Sequence, residues 1–147
     1  MPKKEKFKKI RKTEGSINKN LYRICGLITI IVMVMMAIGF FSQGVFPSPR
    51  IGVFYFGVLI IYSFHKELLR WLGEKKVERQ GEYFVYAWIG LAAILYIINF
   101  LSKDYFSYSS QGIPSGNLKE ICFTTLEVFG IFILTRVSKL IKIILEK

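Results

Sequence analysis

The sequence predicts an all-α fold, a four-helix integral membrane protein with both termini in the cytoplasm and amphipathic cytoplasmic extensions. Three observations carry this prediction. The 147 residues are 52% hydrophobic and have a mean hydropathy of +0.40, which leaves too little polar surface to cover a water-soluble globule. The apolar residues fall into four blocks near the length that crosses a bilayer. The basic residues flank those blocks rather than interrupt them.

The net charge of +11 comes from 21 Lys and Arg against 10 Asp and Glu. In a soluble protein this excess would indicate a nucleic-acid partner. In this sequence no stretch alternates Arg with aromatic residues, the pattern by which proteins bind single-stranded nucleic acid. We therefore predict no nucleic-acid partner, and expect the basic residues to meet anionic lipid headgroups at the cytoplasmic face of a bilayer.

The chain divides into a tail, a transmembrane domain and a C-terminal extension. Residues 1–20 contain few apolar side chains that could be buried in a core, so we expect a disordered basic cytoplasmic tail. The first apolar block is too long for a signal-peptide core and ends in Phe40 and Phe41, so we expect an uncleaved span. The transmembrane domain covers residues 21–135, and its spans are predicted at about 22–41, 51–72, 83–102 and 121–138.

The distribution of Lys and Arg predicts the orientation. Eighteen of the 21 lie in the N-terminal segment, the middle connection and the C-terminal tail, and three lie in the other two connections. Because basic residues are retained on the cytoplasmic side, both termini and the loop around Lys75 are predicted to be cytoplasmic, with Ser48 and Ser110 external. The predicted location is a plasma membrane or a bacterial inner membrane.

Residues 136–147 are predicted to form an amphipathic helix on the cytoplasmic membrane surface. Their apolar residues recur at the three- and four-residue spacing of one helix face, with Lys residues beside them. The five apolar residues are Val137, Leu140, Ile141, Ile144 and Leu145.

Glu127 is the anomalous residue, because it lies deep in the fourth apolar block, roughly 9 Å from the outer end of that block at 1.5 Å per residue. An unpaired carboxylate there costs a few kcal/mol. We therefore expect Glu127 to point inward on the same face as Thr124, and to donate a hydrogen bond as a protonated carboxyl. The predicted partners at that depth are Asn99 and Tyr96 of the third span and Tyr55 of the second.

Two interpretations of this polar site stay open. Glu127 either clamps helices together in a bundle or oligomer, or couples a proton or cation to transport. No Lys, Arg or second acid lies at its depth, which favours the clamp. We accordingly predict a non-enzymatic homo-oligomer or accessory subunit of a membrane assembly. The alternative is a small proton-coupled transporter or pore centred on Glu127, and a hole-forming protein of the phage type is a third interpretation.

Motifs for other chemistry are absent from the sequence. There is no P-loop, no HExxH and no G-x-S-x-G pattern. The chain has one histidine, His65, and two cysteines, Cys25 and Cys122, that fall near opposite membrane faces. We therefore predict no catalytic residue, no cofactor, no metal site and no intramolecular disulfide.

Overall fold

The computed structural model describes residues 3–46, 51–71, 81–109 and 111–145, and within them it is all-helical, without β-strands. The prediction of an all-α fold is confirmed. Lys75, Ser48 and Ser110, which the predicted orientation invokes, lie outside the described residues. The helices are α1 (Lys3–Phe41), α2 (Ile51–Trp71), α3 (Glu82–Leu101) and α4 (Asn117–Leu145), with a short 3-10 helix at Tyr105–Ser107.

The four helices run alternately up and down. At one end, which we call the terminal end, Glu14 of α1 lies 3.8 Å from His65 of α2, and Arg136 of α4 pairs with Glu82 of α3. At the opposite end, the loop end, the amide of Asn117 donates to the carbonyl of Gly39 over 2.7 Å. Both described chain ends therefore lie at the same end of the bundle, which is the arrangement expected from four consecutive spans.

α2 is set back from the loop end. Tyr55 lies four residues after the start of α2, yet its hydroxyl contacts Thr29 and Trp88. At 1.5 Å per residue, Thr29 is roughly 18 Å from the end of α1 and Trp88 roughly 20 Å from the end of α3. α2 therefore begins well below the level at which α1 and α3 end.

The core is apolar and aromatic. Trp88, Phe40, Val32, Leu95 and Ile121 are buried almost completely. Below them, the rings of Tyr22, Tyr62 and Phe84 meet with centroids 5.6–6.1 Å apart, in tilted and edge-to-face arrangements, which are the favoured geometries for aromatic pairs. This packing joins α1, α2 and α3 over much of their length.

The outer surface is apolar as well, since large hydrophobic side chains are exposed on all four helices. A soluble monomer rarely exposes so much contiguous apolar area. Among the described residues, three helices are long and apolar enough to cross a membrane: Thr13–Phe41, Gly52–Trp71 and Glu82–Leu101. α4 is not among these three, and it carries Lys119, Glu120 and Glu127 in its first half.

The N-terminal segment differs from the expectation of a disordered tail at residues 1–20. α1 begins at Lys3 and is unbroken to Phe41. Extending an existing helix costs far less than nucleating a new one, and residues 14–18 also gain tertiary contacts. Asn18 is buried and Glu14 reaches His65. A segment with few apolar residues is therefore held as a continuation of the first apolar helix.

The C-terminal segment is part of α4 rather than a separate helix, because α4 continues without a break to Leu145. The ammonium of Lys142 donates to the carbonyl of Arg70 over 2.5 Å, so it binds one of the last carbonyl groups of α2, which have no partner within their own helix. The five predicted apolar residues all face outward.

Candidate functional site

Glu127 points away from the bundle. Ile121, Thr124 and Val128 form the buried stripe of α4, and Glu127 is one position, or about 100°, from Val128 around the helix. Its side chain is exposed. Among the described residues it has no hydrogen bond or ion pair. Glu127 therefore does not face the interior of the bundle, where the sequence led us to expect it.

Tyr55 instead belongs to a buried network of three helices. The indole of Trp88 donates to the Tyr55 hydroxyl over 2.7 Å, and the same hydroxyl lies 3.1 Å from Oγ1 of Thr29. Thr29 donates its own proton to the carbonyl of Cys25 over 2.7 Å. Because each hydroxyl has one proton, the direction of these hydrogen bonds is fixed. Trp88 donates to Tyr55, Tyr55 donates to Thr29, and Thr29 donates to the backbone of α1.

Asn99 holds the connection after α3. Its amide nitrogen donates to Oδ1 of Asp104 over 2.7 Å, and its amide oxygen accepts from Ser107 over 3.1 Å. Asp104 and the preceding Lys103 both have positive φ angles, 61° and 53°, a region that non-glycine residues seldom adopt. Asn99 therefore stabilises a strained turn, and both polar atoms of its side chain form hydrogen bonds within the chain.

The other two residues predicted for the Glu127 site are Thr124 and Tyr96. Thr124 is buried, and Tyr96 is 46% exposed beside the loop end of α4. Among the described residues, no hydrogen bond joins any two of the five residues that were predicted to share a site. Thr29 and Trp88 were not predicted to belong to a polar site, although a polar atom inside an apolar helix is a usable sequence signal for each of them.

An exposed row along α4 contains Glu127. Its members are separated alternately by three and four residues, the spacing with which a helix presents one side to a partner helix. All are exposed except Gly130, which is half-buried, and a Cβ built on Gly130 meets no atom within 4 Å. We call this row the α4 seam; it consists of Glu120, Phe123, Glu127, Gly130 and Leu134.

A second surface feature is a groove of about 390 Å³ at the loop end, between α3, the loop and α4. Its wall is formed by Tyr96, Leu118, Cys122 and Phe123, and its rim carries Lys119 and loop residues. We call it the loop-end groove. The volume falls in the usual range for small-molecule sites, about 300–1,000 Å³.

The terminal end also contains a cluster of buried and half-buried polar groups. The guanidinium of Arg70 donates to Glu67 over 2.6 Å and to the carbonyl of Thr135 over 3.1 Å. Beside it lies a small cavity of about 30 Å³, next to Tyr62 and Lys66, large enough for a water molecule. The Tyr62 hydroxyl is buried and has no hydrogen-bond partner among the described residues.

No group of three His, Cys, Asp or Glu side chains that could hold a metal ion occurs in the part of the chain that the structure describes. In comparisons with protein-family models, with curated proteins and with solved structures, nothing matches this chain.

Proposed function

We propose that the protein is a non-catalytic, multi-pass membrane protein that assembles as a homo-oligomer through the α4 seam. The observation that carries the proposal is Glu127, an exposed carboxyl group on a helix with an apolar surface, roughly 15 Å from the start of α4. If the Glu127 carboxyl faced lipid at that depth, its burial would cost a few kcal/mol. Facing a second copy of the chain it gains a polar partner.

The outer surface supports insertion of all four helices. Three of them are long and apolar enough to cross a bilayer, and α4 packs alongside α3 and α2 while exposing Phe123, Leu126 and Leu134. A helix of 29 residues is about 43 Å long, which exceeds a hydrocarbon core of about 30 Å. The proposal therefore includes α4 as the fourth span.

The distribution of charge supports the orientation. Eighteen of the 21 Lys and Arg residues belong to the N-terminal segment, the middle connection and the C-terminal tail, and Glu14, His65, Glu82 and Arg136, which lie in or beside these three segments, meet at the terminal end. The proposal places this end in the cytoplasm of a plasma membrane or bacterial inner membrane, where anionic lipid headgroups attract it.

Two copies inserted in one membrane are parallel, so a two-fold axis along the membrane normal brings each seam residue to its own counterpart. Glu127 then meets Glu127 of the partner, and a carboxyl pair can hydrogen-bond when one member carries its proton. Next to this pair, Gly130 permits close approach of the two backbones, because small residues at a membrane helix interface strengthen van der Waals packing.

The test is to fill the seam at Gly130 without disturbing the protomer. Because a Cβ there meets nothing within 4 Å, the Gly130→Leu variant should fold normally. Its larger side chain should prevent α4 of a second copy from approaching the seam closely. Gly90 of α3 has equally open surroundings, so Gly90→Leu is the matched control. Light scattering of the detergent-solubilised protein should give an oligomer for the wild type and Gly90→Leu. For Gly130→Leu we expect the dissociation constant of the oligomer to rise about 5- to 30-fold, from a loss of about 1–2 kcal/mol.

A wild-type protein that is monomeric in detergent and in vesicles would reject the proposal. So would a Gly130→Leu variant that associates as strongly as the control. Glu127→Gln keeps a donor and an acceptor and should keep the oligomer, whereas Glu127→Leu should weaken it by about 1 kcal/mol.

The alternative, a proton-coupled transporter or pore centred on Glu127, has less support, because Glu127 lies outside the protomer bundle. It makes a different prediction for one variant. An amide cannot exchange the proton that couples a transport cycle, so a Glu127→Gln protein that stays oligomeric but loses a pH-dependent flux would favour the transporter.

A further inference from the structure

The loop-end groove has a polar end and an apolar end. Lys119 lies two residues into α4, roughly 3 Å from the start of the helix, whereas Cys122 and Phe123 lie roughly 8–9 Å from it. On the opposite wall, Tyr96 is roughly 8 Å from the end of α3. Along α4 the groove lining therefore changes from the ammonium of Lys119 in the first turn to the less polar side chains of Cys122 and Phe123 in the next turn.

The charge of Lys119 is available to a ligand. Among the described residues no carboxylate lies within ion-pair distance of it, and its contact is with the ring of Phe123, 5.7 Å from the ring centre. It is exposed. Its place in the first turn of α4 also favours a negative charge, because the helix dipole is positive there.

The hydroxyl groups of the rim divide into two kinds. Ser107 donates its proton to Asn99, and Ser115 donates its proton to the carbonyl of Phe106. These two hydroxyls are therefore committed as donors to the protein. The remaining donors on the rim are the ammonium of Lys119 and the hydroxyl of Tyr108, which is half exposed. The Tyr96 hydroxyl and the Cys122 thiol, which lie on the groove wall, form a hydrogen bond with each other.

We propose that the loop-end groove binds one anionic phospholipid of the surrounding bilayer, with its phosphate at Lys119 and Tyr108 and one acyl chain against Tyr96, Leu118, Cys122 and Phe123. Two lining residues, Tyr96 of α3 and Phe123 of α4, are themselves exposed on the outer surface of the bundle, so an acyl chain of the bilayer can reach the groove without crossing water. A tyrosine beside a cation at the end of an apolar helix also matches the headgroup level of a bilayer. The inference does not depend on the α4 seam, although Phe123 borders both.

The experiment measures lipid binding to the full-length protein by native mass spectrometry. Phosphatidylglycerol and phosphatidylcholine with identical chains are added to the delipidated, detergent-solubilised protein. Wild type should retain phosphatidylglycerol preferentially. Lys119→Gln should lower that preference about fivefold, the effect of removing one lysine near a lipid surface. Lys103 lies at the same end but outside the groove, so Lys103→Gln is the matched control and should keep the preference.

A second variant tests the apolar part. Cys122→Trp fills the groove while leaving Lys119 in place, and it should reduce retention of phosphatidylglycerol although the charge is unchanged. Circular dichroism of each variant checks that the helices are intact.

Three results would overturn the proposal: no headgroup preference in the wild type, an equal loss in Lys119→Gln and Lys103→Gln, or unchanged retention in Cys122→Trp. Added glycerol phosphate should not compete with the lipid. Competition at equal concentration would assign the site to a free phosphate instead, and would also overturn it.

Discussion

The indole nitrogen of Trp88 donates a hydrogen bond to the hydroxyl of Tyr55 over 2.7 Å, and this bond joins α3 to α2 in the middle of the bundle. Tyr55 also contacts Thr29 of α1. One hydroxyl group therefore connects three helices. Buried polar networks of this kind are stabilising when every member is satisfied, and costly when one member is removed.

Tyr55→Phe should destabilise the protein by about 1–3 kcal/mol, because it leaves the buried Trp88 donor without an acceptor. Tyr62 provides a matched control. It is as buried as Tyr55, at 2% against 1% exposed, but its hydroxyl has no partner among the described residues. Tyr62→Phe should therefore change stability by much less. Denaturant unfolding in detergent micelles measures both, and equal losses would contradict the role given to the network.

Asn99→Ala should loosen the loop after α3 while leaving the helices intact. The substitution removes the hydrogen bonds to Asp104 and Ser107, and the positive φ angles of Lys103 and Asp104 lose a compensating contact. Hydrogen exchange should accelerate at residues 103–109 and stay unchanged in α2. A variant whose exchange in that loop equals the wild type would show that Asn99 does not hold the turn.

The orientation is testable with single cysteines at exposed positions of the two ends. After Cys25 and Cys122 are replaced, Gln111→Cys at the loop end should react with a membrane-impermeant maleimide in intact cells. Ser16→Cys at the terminal end should react only after the membrane is opened. Both parent residues are exposed, so accessibility within the protomer does not bias the comparison. The reverse pattern would invert the proposed orientation.

A peptide of residues 136–147 should become helical on anionic vesicles and much less so on neutral ones. In the protein, Leu140, Ile144 and Leu145 are 59–72% exposed, so α4 presents apolar side chains that a membrane surface can cover. Replacing Leu140 and Ile144 by Asn keeps the charge and removes two of the five residues of the apolar face. If that control peptide binds equally well by circular dichroism, charge alone accounts for the interaction.

Helix positions were predictable from the sequence where composition changes sharply. α3 corresponds to a run of 20 uncharged residues between Glu82 and Lys103, and its bounds of Glu82–Leu101 lie one residue from those predicted. The N-terminal part of α1 was not predictable from composition. A polar segment contains too little apolar area to fold alone, but it was helical here because a stable helix follows it directly.

The direction of Glu127 was not predictable, because α4 is apolar on nearly every face between Ile121 and Leu134. Periodicity identifies an inward face only when polar residues mark the outward one. The partners of Tyr55 were missed for a different reason. Depths counted from the ends of the apolar blocks assume that the helices begin level, and the displacement of α2 along the bundle moves Tyr55 to the level of Trp88.

The complete burial of Trp88 gives the chain an intrinsic optical reporter. The protein has two tryptophans, Trp88 in the core with its N–H bonded to Tyr55, and Trp71 half exposed at the end of α2. A soluble quencher such as acrylamide should therefore quench the fluorescence of Trp71 and leave the fluorescence of Trp88 unchanged. With Trp71 replaced by Phe, emission follows a single indole whose surroundings change only when α1, α2 and α3 separate, so helix separation in a vesicle can be monitored without a label.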